Sequence, residues 1–132
     1  MTSSTSPSVK ITSHESGLWF DAETIPGVRF RIRRVSLGRR IDLARRIREI
    51  GRSIEFLQAG ATPGEQIEAT VLKGEVERIY LEWGLDQVDG LEIDGEAATP
   101  ETLIERGPIE LTEEALNRIK AECGLSQAER KN

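Results

Sequence analysis

The fold is decided by residues 36–84, which read SLGRRIDLARRIREIGRSIEFLQAGATPGEQIEATVLKGEVERIYLEWG. Ser36 is a favourable N-cap and Gly60 a favourable stop, so a first helix is expected to run from Ser36 to about Ala59. A second helix is then started by Thr62-Pro63-Gly64-Glu65, because this segment combines an N-cap threonine, a proline at the first helical position and a glutamate three residues after the cap.

Each of these two helices carries a single apolar seam. The apolar residues recur at spacings of three and four, which places them on one face of a helix. Two amphipathic helices of this length, joined by a short turn, predict an antiparallel hairpin that closes both seams. The seams are Leu43, Ile47, Ile50, Ile54 and Leu57 in the first helix, and Leu72, Val76, Ile79 and Trp83 in the second, which is expected to end at Gly84.

A β-strand is predicted before the hairpin. The segment VRFRIR at residues 28–33 alternates strictly between apolar and basic residues. Because side chains alternate across a strand, the apolar residues are expected to face the core and the arginines to face solvent. The outward arginines could also protect an exposed sheet edge from unwanted pairing. The inward set is Val28, Phe30 and Ile32, and the outward set is Arg29, Arg31 and Arg33.

The remaining chain predicts three small elements. The segment Leu91–Ala98, LEIDGEAA, is typical of a β-hairpin with a tight turn. Thr99-Pro100 opens a short helix that stops at Gly107-Pro108. Thr112 is expected to cap a last helix from Glu113 to about Cys123.

These patterns predict one α+β, mainly α, domain over residues 17–125. Its order is an N-terminal β-strand region, the long antiparallel helical hairpin, the small β-hairpin, one short helix and one longer C-terminal helix. Residues 1–16 are expected to form a disordered tail, since they are polar and rich in Ser and Thr, and residues 126–132 a polar C-terminal tail. No apolar run approaches the ~20 residues that a membrane span needs. A single cysteine suits a reducing compartment, so the cytoplasm is expected.

No constellation of residues in the sequence predicts catalysis or cofactor binding. His14 is the only histidine, and it falls in the predicted N-terminal tail. Cys123 lies on the apolar face of the last helix, where a buried structural role is expected. The acids between Asp86 and Glu96 lack the register of a calcium-binding loop. We therefore expect a protein that is not an enzyme and that needs no cofactor or metal.

The net charge of −5 conceals two opposed blocks. Ten arginines between Arg29 and Arg52 face only Asp42 and Glu49, whereas residues 53–132 hold eighteen acids and seven bases. Three uses of the arginine block remain open: a solvated face neutralised within the molecule, a docking site for an acidic protein segment, or contact with nucleic-acid phosphates. The acidic pI of about 5.0 and the lack of interleaved aromatic residues disfavour nucleic acid.

Three segments resemble the tail assembly chaperones of long-tailed bacteriophages and prophages. They are VRFRIRRVSLGRRIDLARRIREI at residues 28–50, IYLEWGLDQVDGLEIDGEAATPETLIERGP at residues 79–108 and IKAECGLSQAERKN at residues 119–132. The resemblance implies a small, acidic, largely helical protein of the bacterial host cytoplasm. It implies the tape-measure protein as the partner whose apolar helices are kept soluble until the tail tube polymerises, with the tail-tube protein as a second candidate partner.

Other functions remain open from the sequence. A structural tail or connector protein of the virion is the first alternative, and a small regulator that binds nucleic acid through its arginines is the second. The oligomeric state is also open, because the seam from Leu43 to Leu57 could be used within the hairpin or shared with a second copy. The residues expected to bind a partner are Arg29, Arg31, Arg33, Arg40, Arg45, Arg46, Arg48 and Arg52, together with Trp19 and Phe20.

Overall fold

The computed structural model describes residues 8–9, 17–60 and 62–123. His14, the predicted tails at residues 1–16 (apart from residues 8 and 9) and 126–132, and the predicted domain end at residue 125 all lie outside the described residues. The fold is α+β and mainly α, as predicted. In chain order the elements are β1 (Leu18–Asp21), β2 (Arg29–Ile32), α1 (Leu37–Ala59), α2 (Pro63–Gly84), β3 (Leu85–Asp89), β4 (Glu92–Ile93), β5 (Glu96–Ala97), α3 (Pro100–Arg106) and α4 (Ile109–Cys123).

The two long helices begin and end where their caps predict. Ser36 Oγ accepts a hydrogen bond from the backbone N–H of Arg39 at 3.2 Å, which fixes the start of α1. At α2, Thr62 Oγ1 accepts from the backbone N–H of Glu65 at 3.1 Å, and the Glu65 carboxylate accepts from the backbone N–H of Thr62 at 3.3 Å. This reciprocal capping box satisfies donors that the first turn would otherwise leave unpaired. The Thr62 hydrogen bonds also lower the pKa of Glu65.

The sheet places β2 in the centre, with β1 and β3 antiparallel on its two sides. Val28, Phe30 and Ile32 are 2%, 0% and 1% exposed, so the predicted inward face is confirmed. The edge-protecting role of the strand arginines is wrong, because β2 is hydrogen-bonded along both sides. The strand β3 was not predicted, since it begins at Leu85 directly after the last residue of α2, with no turn between them to mark it.

The last helix starts earlier than its sequence predicts. Helix α4 begins at Ile109, so Thr112 lies inside its first turn rather than at its cap. There, Thr112 donates from both its backbone N–H and its hydroxyl to the carbonyl oxygen of Pro108, each at 3.1 Å. The additional turn buries Leu111 completely, and this burial favours the longer helix over the local cap signal.

The core lies between the inner face of the β1–β3 sheet, the proximal parts of α1 (up to Ile47) and α2 (from Val76), and helices α3 and α4. Gly84 lets α2 approach α4 closely, since a Cβ at this position would lie 2.7 Å from Cγ2 of Ile119. Cys123 is completely buried at the end of α4. The fully buried large side chains are Val28, Phe30, Ile32, Leu43, Leu85, Leu103, Leu111 and Ile119.

Candidate protein-binding surface

The strand arginines are paired within the molecule. Arg31 Nε donates to Asp86 Oδ2 at 2.6 Å, and Arg33 lies 3.2 Å from the other oxygen of the same carboxylate. The Asp86 side chain is only 15% exposed, so the ion pairs are partly shielded from water. Arg29 lies 3.4 Å from Asp21 on the neighbouring strand. Two carboxylates therefore offset part of the charge of the three strand arginines.

The two aromatic residues of β1 lie on opposite faces of the sheet. Trp19 is opposite Arg31 in the strand register and stacks with the guanidinium groups of Arg29 and Arg31, at 4.7 and 5.7 Å from the ring centroid. Phe20 is opposite Phe30 and packs against the core, with Arg118 over its ring at 4.6 Å. Trp19 and Phe20 therefore do not share one binding surface, although each was expected to contribute to it.

The arginines of α1 are different, because they are exposed and largely unpaired. Arg45 lies 3.8 Å from Asp42 in an ion pair whose side chains are both more than 70% exposed, which contributes little stability. Of the other five, Arg39 stacks on Trp83, and four have side chains without an ion pair or hydrogen bond to any residue that the structure describes. These four are Arg40, Arg46, Arg48 and Arg52. The predicted residues thus divide into a paired group on the sheet and an unpaired group on α1.

The hairpin extends beyond the core. After Ile47 in α1 and before Val76 in α2, no apolar side chain that the structure describes belongs to the core cluster or packs against it. We call this part, residues 48–60 and 62–75, the distal hairpin. The twelve residues of α1 in it span roughly 18 Å at 1.5 Å per residue. Only Ala69 is buried there, and the seam residues Ile50, Ile54, Leu57 and Leu72 are half-buried.

The distal hairpin is therefore a layer of two helices without a third element over its seam. Helix α1 packs mainly on α2, whereas α2 also contacts α3, α4 and β3 in its proximal half. An amphipathic helix is stabilised mainly by covering its apolar face. The half-buried seam is an apolar surface on the described chain over which the fold places no third element.

Large apolar side chains are also exposed on the outer sides of the two helices. Phe56 is 76% exposed, Ile67 65% and Val71 53%, and all three lie in the distal hairpin. These three residues were not among the predicted binding residues, because they fall outside the seam spacing. Their position outside the seam could have identified them from the sequence. An apolar residue on the polar face of an amphipathic helix indicates an additional contact.

Two clefts flank the proximal part of the hairpin. One, of about 460 Å³, is lined by α1 residues and by Trp83, on whose ring Arg39 stacks at 5.4 Å. The other, of about 490 Å³, lies between β3, α2 and α3. There Arg78 hydrogen-bonds Glu105, which lowers the pKa of Glu105 and raises that of Arg78. Internal ion pairs therefore occupy the second cleft.

Among the described residues, no group of three or more His, Cys, Asp or Glu side chains is arranged to hold a metal ion. Within the same part of the chain, no helix is long and apolar enough to cross a membrane. Comparison with known protein families, with curated protein sequences and with solved structures finds no match.

Proposed function

We propose that this chain is a non-enzymatic tail assembly chaperone of a bacteriophage or prophage. In this role it binds the tape-measure protein in the host cytoplasm and keeps its apolar helices soluble during assembly of the tail tube. The distal hairpin carries the proposal, because it presents a half-buried apolar seam that no third element of the described chain covers. The sequence resemblance of residues 28–50, 79–108 and 119–132 supports the same class of partner.

The seam fits an amphipathic or apolar helix better than an extended peptide or a small ligand. A helix laid along two helices completes a three-helix packing, in which its apolar stripe contacts both partners. Full burial of a Leu or Ile side chain contributes about 1.5–3 kcal/mol, so each half-buried seam residue gains roughly 1 kcal/mol when a partner covers it. The seam residues that would gain are Ile50, Ile54, Leu57 and Leu72.

The charges around the seam suit a protein that keeps an apolar client in solution. Helix α1 carries six arginines against three acids, and α2 carries five acids against two bases. A seam bordered by dense charge can cover apolar helices on one side while its other sides stay hydrated. No titratable group is needed for chemistry in this account, since binding alone provides the activity.

Co-expression with the tape-measure protein from the neighbouring gene tests the proposal. We expect the tape-measure protein to move into the soluble fraction and to co-purify with a tag on this chain. The control is the same expression with an early stop codon in this chain, where the tape-measure protein should remain insoluble. A tape-measure protein that stays insoluble beside the intact chain, and does not co-purify, contradicts the proposal.

The structural virion protein is separated from the chaperone by the composition of purified particles. A chaperone leaves the complex as the tail tube forms, so peptides of this chain should be missing from mass spectra of complete particles. A tail or connector component should be present in a fixed ratio to the other virion proteins. Recovery of this chain from purified particles in a fixed ratio to the other virion proteins would therefore favour the structural virion protein over the chaperone.

A further inference from the structure

We propose that the helical hairpin selects the direction of a client helix that lies along its seam, through opposite charges on α1 and α2. The inference rests on the proposed function, because it concerns the same seam, and it names the class of helix that the seam accepts. That helix carries an apolar stripe with acidic residues along one flank and basic residues along the other.

The seam follows the heptad repeat of a coiled coil. Its residues are spaced alternately by three and four in both helices, as are positions a and d of a heptad abcdefg. Ile47 and Ile54 occupy position a in α1, and Val76 and Trp83 occupy position a in α2. Position g directly precedes each a and position e directly follows each d, so g and e flank the seam on its two sides.

The g positions of the two helices carry opposite charges. All six are exposed, and they are Arg39, Arg46 and Ser53 in α1 and Glu68, Glu75 and Glu82 in α2. The six e positions hold a single charge, that of Lys73. The two sides of the seam therefore differ, and only the g side opposes a basic row to an acidic row.

Both g rows border the same side of the seam. The same rotation leads from a to g in each helix, and equal rotations in two antiparallel helices point to one side. Arg39 accordingly stacks on Trp83 of the other helix at 5.4 Å, and Arg46 and Trp83 line one cleft. We call the space between the two rows, with Ile50 and Leu72 at its floor, the charged groove.

The charges across the charged groove lie at similar heights but are not paired with each other. Gln66 Nε2 donates to the carbonyl oxygen of Gln58 at 3.4 Å near the tip, and each helix rises by about 1.5 Å per residue. By this count Arg46 lies within one helical turn of the height of Glu75. Even so, neither side chain has an ion pair or hydrogen bond to any residue that the structure describes. Both charges are therefore available to a third helix laid between them.

A helix in the charged groove meets different charges on its two flanks. The flank towards α1 lies beside Arg39 and Arg46 and attracts acids, whereas the flank towards α2 lies beside Glu68 and Glu75 and attracts bases. Turning the same helix end for end exchanges its flanks, so its acids then face glutamates and its bases face arginines. The charges therefore favour one direction of the client helix, although its apolar stripe alone would fit both ways.

The heptad positions of the client's charges determine which direction is favoured. A helix parallel to α1 places its e positions beside the g positions of α1, and its own g positions beside those of the antiparallel α2. Acids at e and bases at g therefore set the client parallel to α1, with its N-terminus near the core and its C-terminus near the tip. The exchanged pattern, with acids at g and bases at e, sets it in the opposite direction.

Binding of synthetic helical peptides at low salt tests the proposal. The peptides are roughly three heptads long, share one apolar stripe and differ only in their flanks, which are acids at e with bases at g, acids on both flanks, or bases on both flanks. We expect fluorescence anisotropy to show the tightest binding for the peptide with opposite flanks, by about tenfold over the other two, and the difference to shrink at high salt. Equal affinity for the three peptides contradicts the proposal, and so does the absence of binding by any of them.

The variant E75R reverses the charge at the centre of the acidic row. It should weaken binding of the peptide with opposite flanks and strengthen binding of the peptide with acids on both flanks, each by about threefold, so that the wild-type preference is lost. The matched control is E77R, because Glu77 is exposed on the same helix but lies on the other side of the seam. It should keep the wild-type preference, and an equal shift in E77R and E75R would count against the charged groove.

Photo-crosslinking measures the direction itself. A benzoylphenylalanine is placed at Asp42, which is exposed and lines the cleft with Trp83, or at Ser53 near the tip. With the peptide that has acids at e and bases at g, Asp42 should crosslink to the N-terminal half and Ser53 to the C-terminal half. The peptide with exchanged flanks should give the reverse. Crosslinks to both halves alike from each position would overturn the proposal.

Co-expression with the tape-measure protein separates this proposal from the proposed function. A wild-type chain that keeps the tape-measure protein soluble, but binds the three peptides equally, retains the proposed function and loses only the selection of direction. If the peptides bind in the expected directions but the tape-measure protein neither becomes soluble nor co-purifies, the selection of direction stands and only the proposed partner is wrong.

Discussion

Removing the Leu43 side chain should detach the hairpin from the core more than any other single change in α1. Leu43 is 0% exposed and is the only buried residue of that helix. Replacing a fully buried leucine by alanine removes its contacts and leaves a cavity, which costs about 3 kcal/mol. A domain of this size is stable by only about 5–15 kcal/mol, so Leu43→Ala should remove a large fraction of the free energy of unfolding.

Urea unfolding followed by far-ultraviolet circular dichroism measures this loss. The free energy of unfolding of a domain this size falls by about 1.5 kcal/mol per molar urea. The midpoint of the unfolding transition should therefore fall by roughly 2 M urea in Leu43→Ala. Phe56→Ala is the matched control on the same helix, since Phe56 is 76% exposed and its removal should change stability by less than about 0.5 kcal/mol.

The result that would refute this reasoning is a loss below about 1 kcal/mol in Leu43→Ala, or an equal loss in Phe56→Ala. Either result would mean that α1 is held by its long contact with α2 rather than by its one buried side chain. The attachment of the hairpin to the core would then not depend on the buried side chain of Leu43.

Three further predictions concern separate parts of the chain. Thr62→Ala should lower the free energy of unfolding by about 1 kcal/mol in the same urea assay, because it breaks the capping box of α2. Burial raises the pKa of Glu114, but hydrogen bonds from the backbone N–H groups of the β1–β2 loop outweigh it and leave that pKa below its ordinary value. Because the pKa is lower in the folded chain than in the unfolded one, Glu114 stabilises the fold fully above its unfolded pKa and loses this effect as the pH falls through the folded pKa. Glu114→Ala should therefore be less stable by about 1 kcal/mol at pH 7 and equal to wild type in thermal unfolding at strongly acidic pH. Duplex and single-stranded DNA should not be retained at low salt in a gel-shift assay, and salt-dependent binding that disappears in the Arg45→Ala/Arg46→Ala/Arg48→Ala variant would contradict this expectation.

The parts of the fold that could be predicted are those whose signals are local. The ends of α1 and α2 follow from Ser36, Gly60 and the Thr62 capping box, each of which acts within one turn of the helix. The inward face of β2 follows from strict alternation between apolar and basic residues. Such signals depend on neighbouring residues only, so the sequence contains them completely.

The parts that could not be predicted depend on contacts between distant segments. The strand β3 owes its place to pairing with β2, and the first turn of α4 to burial of Leu111. The pairing of Arg31 and Arg33 with Asp86 joins residues more than fifty positions apart. Charge counting indicated an acidic counterpart for the arginine block, but it could not tell that the strand arginines are paired while four of the six α1 arginines have no ion pair or hydrogen bond to a described residue.

The measurement that tests the central claim most directly is site-specific photo-crosslinking in the co-expressed complex with the tape-measure protein. A benzoylphenylalanine placed at Ser53 or Lys73, both exposed and next to the seam of the distal hairpin, should crosslink to the tape-measure protein. The same probe at Gln87, exposed on the sheet, is the control and should give no such product. Crosslinking from Gln87 alone, or from none of these positions in a complex that co-purifies, would contradict the claim that the distal hairpin binds the client.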